Sequence, residues 1–139
     1  MIKSAVTINL VPQIKTGPWI FWDNLEESME KASALGFDAV ELFTASGNAI
    51  QSEKIKTLLD RCNLKLAAVG TGAGKVINGL TLIDTDSNIR KKAIDFIKEM
   101  MAFAAPFGAP DREKYFGSAK RGNEAIPELH FPGVDPKAE

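Results

Sequence analysis

Leu35-Gly36-Phe37-Asp38-Ala39-Val40-Glu41-Leu42-Phe43 decides the fold. Gly36 supplies the positive φ that closes a helix. Only two residues later begins a short run, Asp38 to Phe43, apolar apart from Asp38 at its start and Glu41 within it, the pattern of a buried strand. Before Gly36, the residues Leu25, Met29, Ala32 and Leu35 recur at helical spacing. The chain thus passes from an amphipathic helix to a buried strand through a minimal turn. That hand-over is the unit of an α/β fold with parallel strands.

The same alternation extends in both directions. Upstream, residues 4–10 (Ser-Ala-Val-Thr-Ile-Asn-Leu) read as a strand, followed by a loop over 11–22 with Pro12, Gly17 and Pro18. Asp23 is placed to cap the first helix, with Glu26 three residues on as the reciprocal partner. Downstream, Thr44, Ser46, Gly47 and Asn48 make a loop. A helix follows with Ile55, Leu58 and Leu59 inward and Asn63 as its cap, and then a strand over 64–69. Residues 70–85 form a Gly-rich connection. Asp86 or Ser87 caps a third helix, whose inner face takes Ile89, Ala93, Ile94, Ile97, Met100 and Met101, and Pro106 closes it.

The expected fold is α/β, a partial (β/α) barrel. Its three parallel βα units have strands at 4–10, 38–43 and 64–69 and helices at 24–35, 52–61 and 87–105, joined by right-handed crossovers. A fourth strand is due after Pro110, and Asp111-Arg112-Glu113-Lys114 stands in its place. Residues 106–139 hold five of the seven prolines and no sustained periodicity. Two regions follow: a domain over 1–110 and an irregular tail over 111–139, with a short helical turn expected near 112–116. The chain reads as the opening part of a larger α/β enzyme.

Composition narrows the function classes. With 17 basic and 18 acidic residues the net charge is −1, without the basic surplus of a nucleic-acid-binding domain. No apolar run is long enough to span a bilayer. The N-terminal residues lack a signal peptide's apolar segment. A single cysteine, Cys62, excludes an internal disulfide and suits a reducing cytoplasm.

Several segments together resemble the xylose-isomerase-like TIM barrels, the sugar phosphate isomerase/epimerase superfamily. They are Asn9-Leu10 ending the first strand and the run from Leu35 to Leu42. With them go Leu66-Ala67-Ala68-Val69-Gly70-Thr71-Gly72-Ala73-Gly74-Lys75, the long helix after Ser87 and the turn Pro106-Phe107-Gly108-Ala109-Pro110. The resemblance implies three of the eight units of such a barrel. It also implies metal-assisted aldose–ketose isomerisation or epimerisation of small sugars. The expected metal is a divalent ion (manganese, magnesium, cobalt or zinc), held by carboxylates and histidines on later strands. Nothing after Pro110 matches the family's pattern, so no metal ligand and no catalytic residue carries over, and no metal is expected on this chain alone.

In such barrels the site lies at the C-terminal ends of the strands. Asn9 there can bond a sugar hydroxyl or satisfy local backbone groups. Glu41, in the middle of an apolar strand, needs a partner to be buried. The resemblance places it in the sugar pocket of an intact barrel; in this chain alone that face is wet, and the carboxylate is solvated or paired. Gly70 and Thr71 open a substrate loop or a plain connection. The run Gly70 to Lys75 fails both the Walker spacing and the dinucleotide fingerprint. Trp22, with Trp19 and Phe21, offers an aromatic face to a sugar ring or a lid over the sheet. His130, the sole histidine, stands with Glu128 and Asp135 in the tail, and one unpatterned histidine does not make a metal site.

The candidate ligand is therefore a small sugar or sugar-phosphate-like molecule bound through Asn9, Trp22, Glu41, Gly70 and Thr71. The alternatives are a non-catalytic α/β module that self-associates through open sheet edges, and a flavodoxin-like fold holding a phosphate at 70–74.

Overall fold

The computed structural model describes residues 3–108. The expected tail, the helical turn near 112–116 and His130 lie outside the described residues. Within them, β1 (Ala5–Asn9), β3 (Ala39–Phe43) and β4 (Lys65–Gly70) are parallel. A two-residue strand, β2 (Phe21–Trp22), joins them to give the order β2-β1-β3-β4. The helices are α1 (Leu25–Ala34), α2 (Ser52–Cys62), α3 (Ala73–Asn78) and α4 (Ser87–Ala104), and a 3-10 turn, Ala105–Phe107, follows α4.

The three long strands add on the same side in chain order, and their helices cover one face. Val6 and Ile8 of β1, Val40 and Leu42 of β3 and Leu66 of β4 meet Leu25, Met29 and Ala32 of α1. Ile55, Leu58, Leu59 and Cys62 of α2 and Phe103 of α4 join the same core. Each Val, Leu, Ile, Phe or Met side chain among them, buried whole, contributes about 1.5–3 kcal/mol. The other face carries Thr7 and Glu41, both half-buried, with Ala5 and Ala68 exposed. A sheet covered on one face and bare on the other is a piece of barrel wall. A doubly wound fold, flavodoxin-like included, has helices on both faces.

Four expectations change in detail. First, the loop 11–22 contains β2, whose Phe21 and Trp22 pair with Ile8 and Asn9 of β1. Two residues are too short for periodicity to reveal. Second, the cap of α1 is Asn24, not Asp23. Asp23 takes a left-handed backbone, φ +59, because its amide is spent on Asn9 O at 2.9 Å. Asn24 then accepts the Glu27 amide at 3.2 Å, so the capping pair is Asn24 with Glu27 rather than Asp23 with Glu26.

Third, the Gly-rich connection holds α3, a helix of six residues seated by Ala73 in a second apolar cluster with Val11, Phe43, Phe96 and Met100. Burial, not propensity, forms it. Fourth, three residues assigned to inner faces lie outside. Leu35 is 70% exposed as the C-cap of α1, and Ile94 and Met101 are exposed because α4 buries the row Ala93, Phe96, Met100 and Phe103 instead.

The remaining punctuation follows the sequence. Gly36 has φ +82, Asn63 caps α2 in the left-handed region at φ 53, and Asp86 caps α4 by accepting the Asn88 amide at 2.8 Å. Cys62 is a buried free thiol.

Candidate functional site

The bare face is built by register. Thr7 of β1 and Glu41 of β3 are direct cross-strand partners, so their side chains rise side by side from the uncovered side. Thr7 Oγ1 donates to Glu41 Oε2 at 2.7 Å. One oxygen of the carboxylate is thereby fixed. The other, Oε1, is turned toward β4, 3.5 Å from where a side chain on Gly70 would begin. The extra residue of β4, opposite Val40/Glu41, is Ala67, since Val40 pairs with Leu66 and Glu41 with Ala68. That bulge sets Ala68, a short exposed side chain, opposite Glu41.

Above this pair the strand ends are roofed by aromatic rings. Phe43 is buried, and its ring lies against Gly70 so closely that a Cβ there would sit 2.7 Å from Cδ2. Trp19 packs on Phe43 with ring centroids 5.0 Å apart. Trp22, at the end of β2, donates its indole N–H to Trp19 O at 3.2 Å. The Trp19 Nε1 atom is buried and has no hydrogen-bond partner among the described residues.

Asn9 is fully buried, and its amide is engaged by its own loop. Oδ1 accepts the Val11 amide at 3.0 Å, and Nδ2 donates to Ile14 O at 3.3 Å. Asn9 thus shapes the loop that carries Trp19. Thr71 lies just past Gly70 and is exposed.

The structure brings Glu41, Gly70 and Asn9 to one end of the sheet and puts Trp22 and Thr71 at its rim. Sequence reading missed Thr7, which sits two residues before Asn9 and so on the same face; that period-2 relation was the available signal. It also missed Phe43, which passes for an ordinary strand apolar residue.

Among the described residues no three His, Cys, Asp or Glu side chains converge. The bare face offers one carboxylate, already holding a threonine hydroxyl, so these residues do not fit a divalent metal. No helix among the described residues is long and apolar enough to cross a membrane. A hollow of about 860 Å3 lies at the opposite end of the strands, around Lys3, Asp38, Asn63 and Gly108. In barrels that end serves stability rather than chemistry.

No curated protein matches the chain. The sequence profile of the xylose isomerase-like TIM barrel family matches residues 29–111, more than half of the chain, in a region running from within α1 past the end of the described fold. With parallel strands, one helix-covered face and a polar face opposite, the chain belongs to the xylose isomerase-like TIM barrel family.

Proposed function

We propose that this chain is an isomerase/epimerase-family polypeptide whose bare sheet face binds a small sugar or polyol and which, by itself, does not turn it over. The observation that carries the reading is the Thr7–Glu41 pair. A carboxylate with one oxygen held at 2.7 Å and the other, on a half-buried side chain, directed toward Gly70 can accept a hydrogen bond from a sugar hydroxyl. Hydrogen bonds to a charged group contribute about 1.5–3 kcal/mol. Trp22 and Thr71 at the rim supply an aromatic face and a hydroxyl, and Asn9 holds the loop beneath them.

Aldose–ketose isomerisation needs an acid/base pair at the reacting carbons, and in the intact family a divalent metal beside them. The described residues give one carboxylate and no such donor set. A lone carboxylate can carry a proton between adjacent carbons, but isomerisation also needs a second group to polarise the carbonyl and move the hydroxyl proton. In the same reading the chain works in a reducing compartment such as the cytoplasm, in keeping with a single buried thiol.

Titration of the purified chain with D-xylulose and xylitol, followed by NMR, tests this. Amide shifts at Thr7, Glu41, Gly70 and Thr71, with affinity about tenfold weaker in Glu41→Gln, are expected. No shift at these residues would remove the sugar site. Conversion of D-xylulose with added manganese would remove the claim of inactivity.

A further inference from the structure

Asn78-Gly79 is the one place in the chain where glycine follows asparagine. The pair matters because of a reaction that needs no enzyme. The backbone nitrogen after an asparagine can attack the asparagine side-chain carbonyl, and a side chain on that next residue stands in the way. Glycine has none. The other asparagines are followed by leucine, isoleucine, alanine or glutamate, all of which hinder the attack.

The pair sits at an exposed helix end. Asn78 is the last residue of α3 and Gly79 follows it, both exposed. Gly79 is in the left-handed region at φ +65, with no described atom within 4 Å of where a side chain would begin. Two bonds close the helix. Gly79 N–H donates to Lys75 O at 3.0 Å and Leu80 N–H donates to Gly74 O at 3.0 Å. While the first bond holds, the Gly79 nitrogen is directed at Lys75 and away from the Asn78 side chain.

That hold is weak. α3 has six residues and no side-chain cap from the described residues, against about 12–15 residues for a helix that stands by itself in water. Its buried residues, Ala73 and Gly74, are both at its start. Ile77 is half-buried, and Val76 is 62% exposed. Packing therefore fixes the first turn, and the last turn, with little buried contact, opens by local fluctuation.

We propose that Asn78 is a self-modification site, at which the opened last turn of α3 deamidates. The Gly79 nitrogen bonds to Asn78 Cγ and the Cγ–Nδ2 bond breaks. Nδ2 leaves as ammonia, carrying the proton that the Gly79 amide gives up. Water then opens the resulting cyclic imide at either of its carbonyls. One opening gives aspartate and the other isoaspartate, whose main chain runs through the side-chain carbon. Both products put a carboxylate at the C-terminal end of α3, where the helix carbonyls already carry partial negative charge. Isoaspartate also lengthens the main chain by a carbon, which removes the Gly79 amide from Lys75 O. The last turn of α3 is lost for good, while Ala73 keeps the first turn seated. The modification is independent of the sugar-site reading.

Incubation of the folded full chain at mildly alkaline pH, followed by peptide mapping, tests this. The peptide carrying Asn78 is expected to show the mass gain of an amide-to-acid change, in two chromatographic forms, ahead of every other asparagine. Hydrogen exchange at Gly79 and Leu80 is expected to quicken as the converted fraction grows. Gly79→Ala, which has room for its methyl group, and Asn78→Gln, whose longer side chain closes the ring poorly, are both expected to lose the conversion at 78. Asn78 left intact while other asparagines convert would overturn the proposal, as would conversion seen only in urea. So would a rate unchanged in Gly79→Ala, or exchange at Gly79 and Leu80 that does not follow the conversion.

Discussion

Glu99, in the middle of α4, accepts a hydrogen bond from the Gly47 backbone amide at 2.8 Å, across 52 residues of chain. This bond ties the loop after β3 to the helix after β4. A Cβ on Gly47 would meet Glu99 Cγ at 3.1 Å, so the helix and the loop touch directly. Glu99→Ala frees the amide and removes a charge-assisted bond. The expected loss is about 1–2 kcal/mol in denaturant unfolding, with faster hydrogen exchange at Gly47. Glu99→Gln keeps an acceptor and should lose less. Equal losses for the two variants would show that the contact acts by packing alone.

Asn9 is the corresponding tie at the end of β1. Asn9→Ala strands the amide of Val11, a fully buried residue, and releases Ile14 O. The cost of a buried group left unpaired is about 1–3 kcal/mol. Trp19, whose loop Asn9 closes, is expected to change its fluorescence in the folded protein. Asn9→Asp retains the acceptor and should keep the Trp19 signal while losing the bond to Ile14. An Asn9→Ala variant of unaltered stability and fluorescence would refute this role for the side chain.

The fold was legible where the chain obeys period and punctuation. Gly36, Asn63 and Asp86 mark helix ends through local backbone chemistry, and Ile55, Leu58 and Leu59 mark an inner face. What escaped is set by tertiary contact. β2 exists because Ile8 and Asn9 have a free edge to pair with, and α3 because Ala73 has a cluster to enter. Ile94 and Met101 match the helical period as well as Phe96 and Phe103 do, and tertiary contact decides which row is buried: Phe96 and Met100 pack with Val11, Phe43 and Ala73, and Phe103 joins the main core. For the site, Glu41 stood out as a charge among apolar residues, whereas Thr7 acquires meaning only through its register with Glu41.

Asp38 links the start of β3 to the start of β1. Its carboxylate accepts the Ser4 amide at 2.8 Å and the Ser4 hydroxyl at 3.2 Å. These bonds, the backbone one first, hold its pKa below the ordinary aspartate value. A lowered folded-state pKa means the unfolded chain takes up the proton more readily. The contribution to stability is therefore complete above the ordinary aspartate pKa and is lost as pH falls through the depressed value in the folded state. Asp38→Asn should flatten the decline of Tm on the acid side while leaving the shape of the curve near neutrality unchanged. An acid limb as steep as that of the unsubstituted chain would contradict this assignment.

Gly36 and Gly70 are both intolerant of a side chain, for different physical reasons, and substitution separates them. At Gly36 there is open space within 4 Å but φ is +82. Gly36→Ala therefore incurs only backbone strain, about 1–2 kcal/mol, and Gly36→Asn, whose side chain suits the left-handed region, less. Gly70 has no such backbone, and its Cβ would sit 2.7 Å from Phe43 Cδ2. Gly70→Ala forces the Phe43 ring to move, with a loss of about 1–3 kcal/mol. Phe43→Leu removes the clashing ring edge, so the double variant should be less destabilised than the sum of the single ones. The coupling is read as a double-mutant cycle in urea midpoints. Additive losses at 43 and 70, or a Gly36→Asn variant as unstable as Gly36→Ala, would show that the two positions are constrained in some other way.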